Sequence, residues 1–91
     1  MLKFEWDKDK AQSNLAKHGV SFEEAASTFG DPLALVFPDP DHSVGEKRWL
    51  TFGASQTDRL LAVIHTERVH AIRIISARKA TRHEREIYEH G

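Results

Sequence analysis

The sequence predicts an α+β fold, a mostly antiparallel sheet preceded by two helices and followed by one. Three observations carry this. Apolar residues at helical spacing, bounded by capping residues, fill the first third of the chain. Four apolar or alternating runs follow with short breaks. A polar segment dense in arginine and glutamate, RIISARKATRHERE (Arg73–Glu86), closes the greasy part of the chain. Strands grouped after a helical pair favour antiparallel pairing over a repeated strand–helix–strand unit. Ninety-one residues make one domain, 1–91, able to bury roughly 60–65% of its unfolded surface.

LKFEW (Leu2–Trp6) alternates and reads as a short strand. Asp7 is placed to cap a helix over Lys8–His18, and Gly19 to end it. Ala11, Leu15 and His18 form the expected inner stripe, with Lys10, Asn14 and Lys17 beside it. Ser21-Phe22-Glu23-Glu24 has the S-x-x-E form of a capping box. Phe22, Ala25, Ala26 and Phe29 then repeat at helical spacing until Gly30-Asp31-Pro32 stops the helix. Leu33–Phe37 is a compact apolar run, expected as a buried strand. Two close prolines make Pro38–His42 a loop. Lys47–Phe52 is the next strand, with residues 53–58 as its exit loop. Arg59–Thr66 and His70–Ala77, separated by Glu67, Arg68 and Val69, read as an antiparallel hairpin. Arg78–Glu89 is expected to be the last helix, with Ser76 near its cap. The order is β-α-α-β-β-β-β-α, with the helices on one face and the other face partly open.

The formal net charge is −1, but the charge is unevenly spread. Residues 1–58 hold 6 basic and 10 acidic side chains, and residues 59–91 hold 7 and 4. Such a split suits a polyanion or an acidic partner bound on one side. The chain has no cysteine, which excludes disulfides and thiolate metal sites and suits a reducing cytoplasm. No apolar run approaches the ~20 residues of a membrane span, and MLKFEWDKDK lacks the apolar core of a signal peptide. Six scattered histidines give no zinc spacing, so neither a metal nor another cofactor is expected.

Alternation along the hairpin places Leu61, Val63, His65 and Glu67 on one face of its first strand. In the second, Arg73, Ile75 and Ala77 share a face. If the register brings His65 and Glu67 to Arg73's side, that face carries an imidazole, a carboxylate and a guanidinium, with Arg48 able to join from the preceding strand. These groups suit RNA cleavage without a metal. Glu67 or His65 removes the 2′-hydroxyl proton, Arg73 and Arg78 steady the charge on the phosphorus oxygens, and His83 or Tyr88 protonates the departing 5′-oxygen. A solvated hairpin turn accounts for Glu67 and Arg68 as well. Arg78, Lys79, Arg82 and Arg85 form a basic ridge if all lie on one helix, though Arg82–Glu86 and Arg85–Glu89 are also ordinary i,i+4 neighbours. A non-catalytic module that binds RNA or a protein is the reading from a different class. Both predict a basic patch, and only the nuclease predicts turnover.

Taken together, FEWDKDKAQSNLAKHGVSFEEAASTFGDP (Phe4–Pro32), LLAVIHTER (Leu60–Arg68) and RIISARKATRHEREIYE (Arg73–Glu89) resemble the BrnT family, toxins of bacterial type II toxin–antitoxin pairs. The resemblance covers nearly the whole chain, loosely between Ala34 and Asp58. It implies a RelE-like fold, metal-independent RNA cleavage that arrests translation, and neutralisation by a BrnA-type antitoxin. It also implies that operator DNA is contacted mainly by the antitoxin and that toxins meet within a heterotetramer. Positions that match and can act are Arg48, Glu67, Arg73, Arg78, Lys79, Arg82 and Tyr88. Lys79, Arg82 and Arg48 are assigned to RNA phosphates. The matching Trp6, Asp7, Asn14, His18 and Phe22 read as scaffold.

Overall fold

A computed structural model describes residues 2–42 and 45–91. Strand β1 (Phe4–Glu5) leads into helix α1 (Lys8–His18). The Asp7 carboxylate starts α1 by accepting from the N–H groups of Asp9 (2.8 Å) and Lys10 (3.1 Å). Gly19, at φ 68°, ends it in the left-handed conformation that glycine adopts without cost from a Cβ. Ser21 Oγ then accepts from Glu24 N at 3.0 Å and opens α2 (Phe22–Ser27), which tightens into a 3-10 turn over Thr28–Gly30. Only half of the expected capping box forms. The Glu24 carboxylate turns away from the helix start to accept from Arg59 Nε (2.8 Å), Ser55 Oγ (2.7 Å) and Thr57 Oγ1 (2.8 Å).

Strands β2 (Leu35–Pro38), β3 (Trp49–Ala54), β4 (Leu60–Arg68) and β5 (Ala71–Lys79) follow, and α3 (Arg82–His90) closes the chain. The sheet order is β1-β5-β4-β3-β2. All neighbours are antiparallel except β1 and β5, which run parallel. The core lies between one sheet face and the first two helices. Val20, Phe22 and Ala25 pack on Leu61, Val63, Ile74 and Ala77, with Phe4, Trp6 and Phe29 around them.

Several boundaries differ from expectation for physical reasons. Leu33–Phe37 was expected to be buried, yet β2 is the outermost strand, and Leu33, Val36 and Phe37 are exposed. The hairpin turn is Val69-His70, because Glu67 and Arg68 still pair with Ile72 and Ala71. Arg78 and Lys79 belong to β5, where they pair with Ala62 and Leu61, so Ser76 lies within the strand and caps nothing. Thr81 is the cap of α3. Its hydroxyl accepts from Glu84 N (3.2 Å), and the Glu84 carboxylate accepts from Thr81 N (2.9 Å). On α1 the buried residue is Asn14, and Ala11 packs on the core as expected, whereas Leu15 is 52% exposed.

The helices do not all share a face. α1 and α2 contact β5, whereas α3 contacts β3, meets Arg78 through Glu84 and abuts Leu35 at Gly91. Leu35 and Arg78 pair with Phe52 and Ala62, which alternate away from the core set. α3 therefore covers one end of the second face. Apart from buried Thr66, the rest of that face is half-buried or exposed.

Candidate nucleic-acid interface

The β4–β5 register decides which charged groups meet. Ile64 faces Ser76, but His65 faces Ile74, so Ile75 is an extra residue in β5. A β-bulge of this kind resets the alternation of the strand. Arg73 and Arg78 are five positions apart, and a regular strand would send them to opposite faces. With the bulge, both emerge on the face away from α1 and α2, opposite Thr66 and Ala62.

Arg73 is one end of an ionic chain. Glu5, its neighbour on β1, lies 3.5 Å from Arg73 Nη1 and 3.6 Å from Arg68 Nε. Arg68 Nη1 donates to Glu46 Oε2 at 2.8 Å, and Glu46 Oε1 lies 3.7 Å from Arg48 Nη2. Three guanidinium groups thus alternate with two carboxylates along the hairpin end of the sheet. The Arg68 hydrogen bond holds the Glu46 carboxyl below its ordinary range, and that bond in turn raises Arg68. Arg68, read from sequence as a solvated turn residue, is the link between the two carboxylates. Its length and its place just before the turn were the only signals, and they do not distinguish it from other surface arginines.

Arg78 forms a second centre. Its Nη1 and Nη2 donate to Glu84 Oε1 (2.6 Å) and Oε2 (2.9 Å), a two-pronged pair that raises Arg78 and lowers Glu84. Four residues of strand, one of them the bulge, separate it from Arg73, and the span matches that from Thr66 to Ala62 on β4, roughly 13 Å at an extended rise. Half-buried Ile64, Leu50 and Ser76 lie between, so the guanidinium groups share a face rather than one pocket.

The other predicted site residues are distributed differently. His65 and Glu67 share a face, as expected, but it is not Arg73's. His65 is 6% exposed. It meets the edge of Phe29 at 4.8 Å between centroids and is 2.7 Å from Thr51 Oγ1 through Nε2. Its Nδ1 is buried with no hydrogen-bond partner among the described residues, and burial pushes the imidazole down to about 4. Glu67 is exposed and borders a shallow hollow with Lys3 and His70. The expected single ridge of Arg78, Lys79, Arg82 and Arg85 does not form. Lys79 pairs with Leu61 and so leaves β5 on the face opposite to Arg78. Arg82 begins α3, is 95% exposed in its side chain and pairs with Glu86 at 3.8 Å. His83 is exposed in the first turn of α3. The Tyr88 hydroxyl donates to Asp31 Oδ2 at 2.6 Å, a bond that raises the phenol to about 12. Tyr88 thereby ties α3 to the loop before β2.

A larger hollow of about 600 Å³ is lined by Pro38, Pro40, Gly45, Glu46 and Lys47, with Glu46 and Lys47 as its charged groups among the described residues. Among the described residues no group of three or more histidines, cysteines or carboxylates is placed to hold a metal ion. No helix among them is long and apolar enough to cross a membrane.

The family model described as "Ribonuclease toxin, BrnT, of type II toxin-antitoxin system" matches residues 6–84. The chain belongs to the BrnT toxin family. A BrnT toxin of known structure, the Brucella abortus ribonuclease toxin solved at 1.1 Å, superposes with a TM-score of 0.70 at 29% identity. The match covers 90% of this chain and 100% of the Brucella chain. No curated protein matches by sequence. BrnT toxins are ribonuclease toxins of type II toxin–antitoxin systems, so this chain has an antitoxin partner. The α+β architecture and the family read from the residues are both upheld.

Proposed function

We propose that this BrnT toxin cleaves RNA without a metal ion and arrests translation in the cytoplasm until a BrnA-type antitoxin covers it. The single observation that carries this reading is the alternating chain Arg73–Glu5–Arg68–Glu46–Arg48 on the face left open by α3. Guanidinium groups recognise phosphate oxygens in the same geometry as carboxylates. An RNA phosphodiester therefore competes with Glu5 for Arg73 and Arg68. Glu5 is the weaker-held of the two carboxylates, at 3.5 and 3.6 Å, and is displaced first. Freed beside the bound phosphate, it accepts the 2′-hydroxyl proton. The 2′-oxygen then attacks phosphorus, the arginines stabilise the gathering negative charge, and the P–O5′ bond breaks to leave a 2′,3′-cyclic phosphate while the departing 5′-oxygen takes its proton from water. Arg48, Arg78 and Arg82 hold neighbouring phosphates, whereas Lys79 leaves the opposite face of β5 and takes no part on this one. The base role moves to Glu5 because His65 is buried and Glu67 leaves the other face. Tyr88, already donating to Asp31, serves as a clasp.

The antitoxin, in this reading, lays acidic or apolar segments over the same face, contacts operator DNA itself, and brings two toxins together in a heterotetramer. The deciding experiment incubates purified protein with single-stranded RNA in excess EDTA. Cleavage that persists in EDTA and falls by about 100-fold or more in Arg73→Ala and Glu5→Gln supports the mechanism. RNA that is bound but never cut supports a non-catalytic module. Equal survival of cells expressing the toxin alone and the toxin with its neighbouring gene product would remove the toxin role.

A further inference from the structure

Past Arg73, the outer edge of β5 has no strand beside it among the described residues. β1 pairs only with Ile72 and Arg73, so the outer edge of β5 beyond them is covered by α1 rather than by a strand. Asn14 clips the two together, donating from Nδ2 to Ala77 O (2.8 Å) and Val20 O (3.0 Å) and accepting from Ala77 N (3.1 Å). Between α1 and the bulge runs a groove of about 220 Å³, lined by Lys10, Ser13, Lys17 and His18 on one side and Ile75 and Ser76 on the other. Lys10 and Lys17 lie seven residues apart, roughly 10 Å along the helix axis, with the Ser13 hydroxyl between them.

We infer that this groove is a second phosphate track for single-stranded RNA, with Lys10 and Lys17 as its cations and Ser13 and His18 as hydrogen-bonding groups. Three features favour RNA over an acidic protein segment. No carboxylate lines the groove, and among the described residues none pairs with either lysine within 4.0 Å, unlike the carboxylate-paired arginines of the open face. The lining sets the Ser13 hydroxyl between two ammonium groups, suiting phosphates interleaved with a 2′-hydroxyl. The groove is also bounded by Ile75 and Ser76, which lie between Arg73 and Arg78 on β5, so a strand held there continues onto the arginine face. The acidic Asp7 stands near the Arg73 end, where the hydrogen bond from the Lys10 N–H, and less so the charges of Lys10 and Arg73, lower its carboxyl.

This inference rests on RNA being the ligand of the open face, but it requires no cleavage. The test is fluorescence anisotropy with a labelled single-stranded RNA twelve-mer over a salt series, using wild type, the Lys10→Ala/Lys17→Ala double variant and Arg73→Ala. Each phosphate contact contributes a log–log salt slope of about 0.7 for single strands. The double variant is expected to bind about tenfold more weakly at low salt and to lose about 1.4 from the slope. Both lysines are exposed, so its melting curve should match wild type. Unchanged affinity and slope overturn the track, as does wild type that binds no RNA at all. Loss of binding to the co-expressed antitoxin with RNA binding intact also overturns it and gives the groove to the partner. Cleavage is scored separately. Wild type that binds RNA through these lysines without cutting it upholds the track and removes the nuclease reading.

Discussion

Asn14 and Tyr88 show how single polar side chains hold this small fold together. Asn14 is buried, and its amide satisfies three backbone groups, joining α1 to the last core residue of β5. Replacing it with leucine fills similar space but leaves Ala77 N–H, Ala77 C=O and Val20 C=O unpaired. Asn14→Leu is expected to cost about 2–3 kcal/mol in urea unfolding. An unchanged midpoint would mean that water satisfies those groups. Tyr88 makes one bond to a charged acceptor that also receives Ala54 N at 2.8 Å and Leu33 N at 2.9 Å. Tyr88→Phe is expected to loosen α3 alone, seen as faster amide exchange in residues 82–90 with β4 and β5 still protected. Sequence showed both positions as motif members but gave no hint of what each touches across the fold, because Ala77 and Asp31 lie 63 and 57 residues away.

At the scale of elements, the two N-caps differ in a way that predicts different sensitivities. Ser21 caps α2 without reciprocation, since Glu24 is committed to the β3–β4 connection. Thr81 caps α3 with full reciprocation, and its partner Glu84 also holds Arg78. Ser21→Ala should cost about 1 kcal/mol, the ordinary value of a cap, and a coincident melting curve would count against that bond. Glu84→Ala should do more than shorten a helix. It releases Arg78 from its two-pronged pair, so RNA affinity should rise while α3 frays, measured by anisotropy and helical circular dichroism. A fall in affinity would show that Arg78 must be held in place to bind. The late start of α3 was not legible because ARKATRHERE favours helix throughout, whereas pairing with β4 keeps Arg78 and Lys79 extended.

For the molecule as a whole, stability should depend on acid in two steps. Burial holds His65 at about 4 against an ordinary 6.5, and the Arg59 hydrogen bond holds Glu24 at about 2 against 4.5. Both values lie below those of the unfolded chain, so the unfolded state binds more protons in each interval and stability is lost as the pH is lowered. His65 contributes its full share above about pH 6.5 and loses it toward pH 4. Glu24 contributes fully above about pH 4.5 and loses its share toward pH 2. Melting temperature should therefore decline over both ranges, and Glu24→Gln should flatten only the lower one. A slope unaltered by that substitution would place the acid sensitivity elsewhere.

The sequence alone determined the fold class, the family, both ends of α1, the Ser21 cap and the existence of the β4–β5 hairpin. These depend on local spacing, capping chemistry and short-range turns, which act within a few residues. Only the tertiary structure decided that Arg73 and Arg78 share a face, that His65 turns inward, and that Glu5 and Glu46 interleave with Arg68. One extra residue at Ile75 reverses the alternation of everything after it in β5. A bulge has no spacing of its own in the sequence, because it exists only as a mismatch between two paired strands.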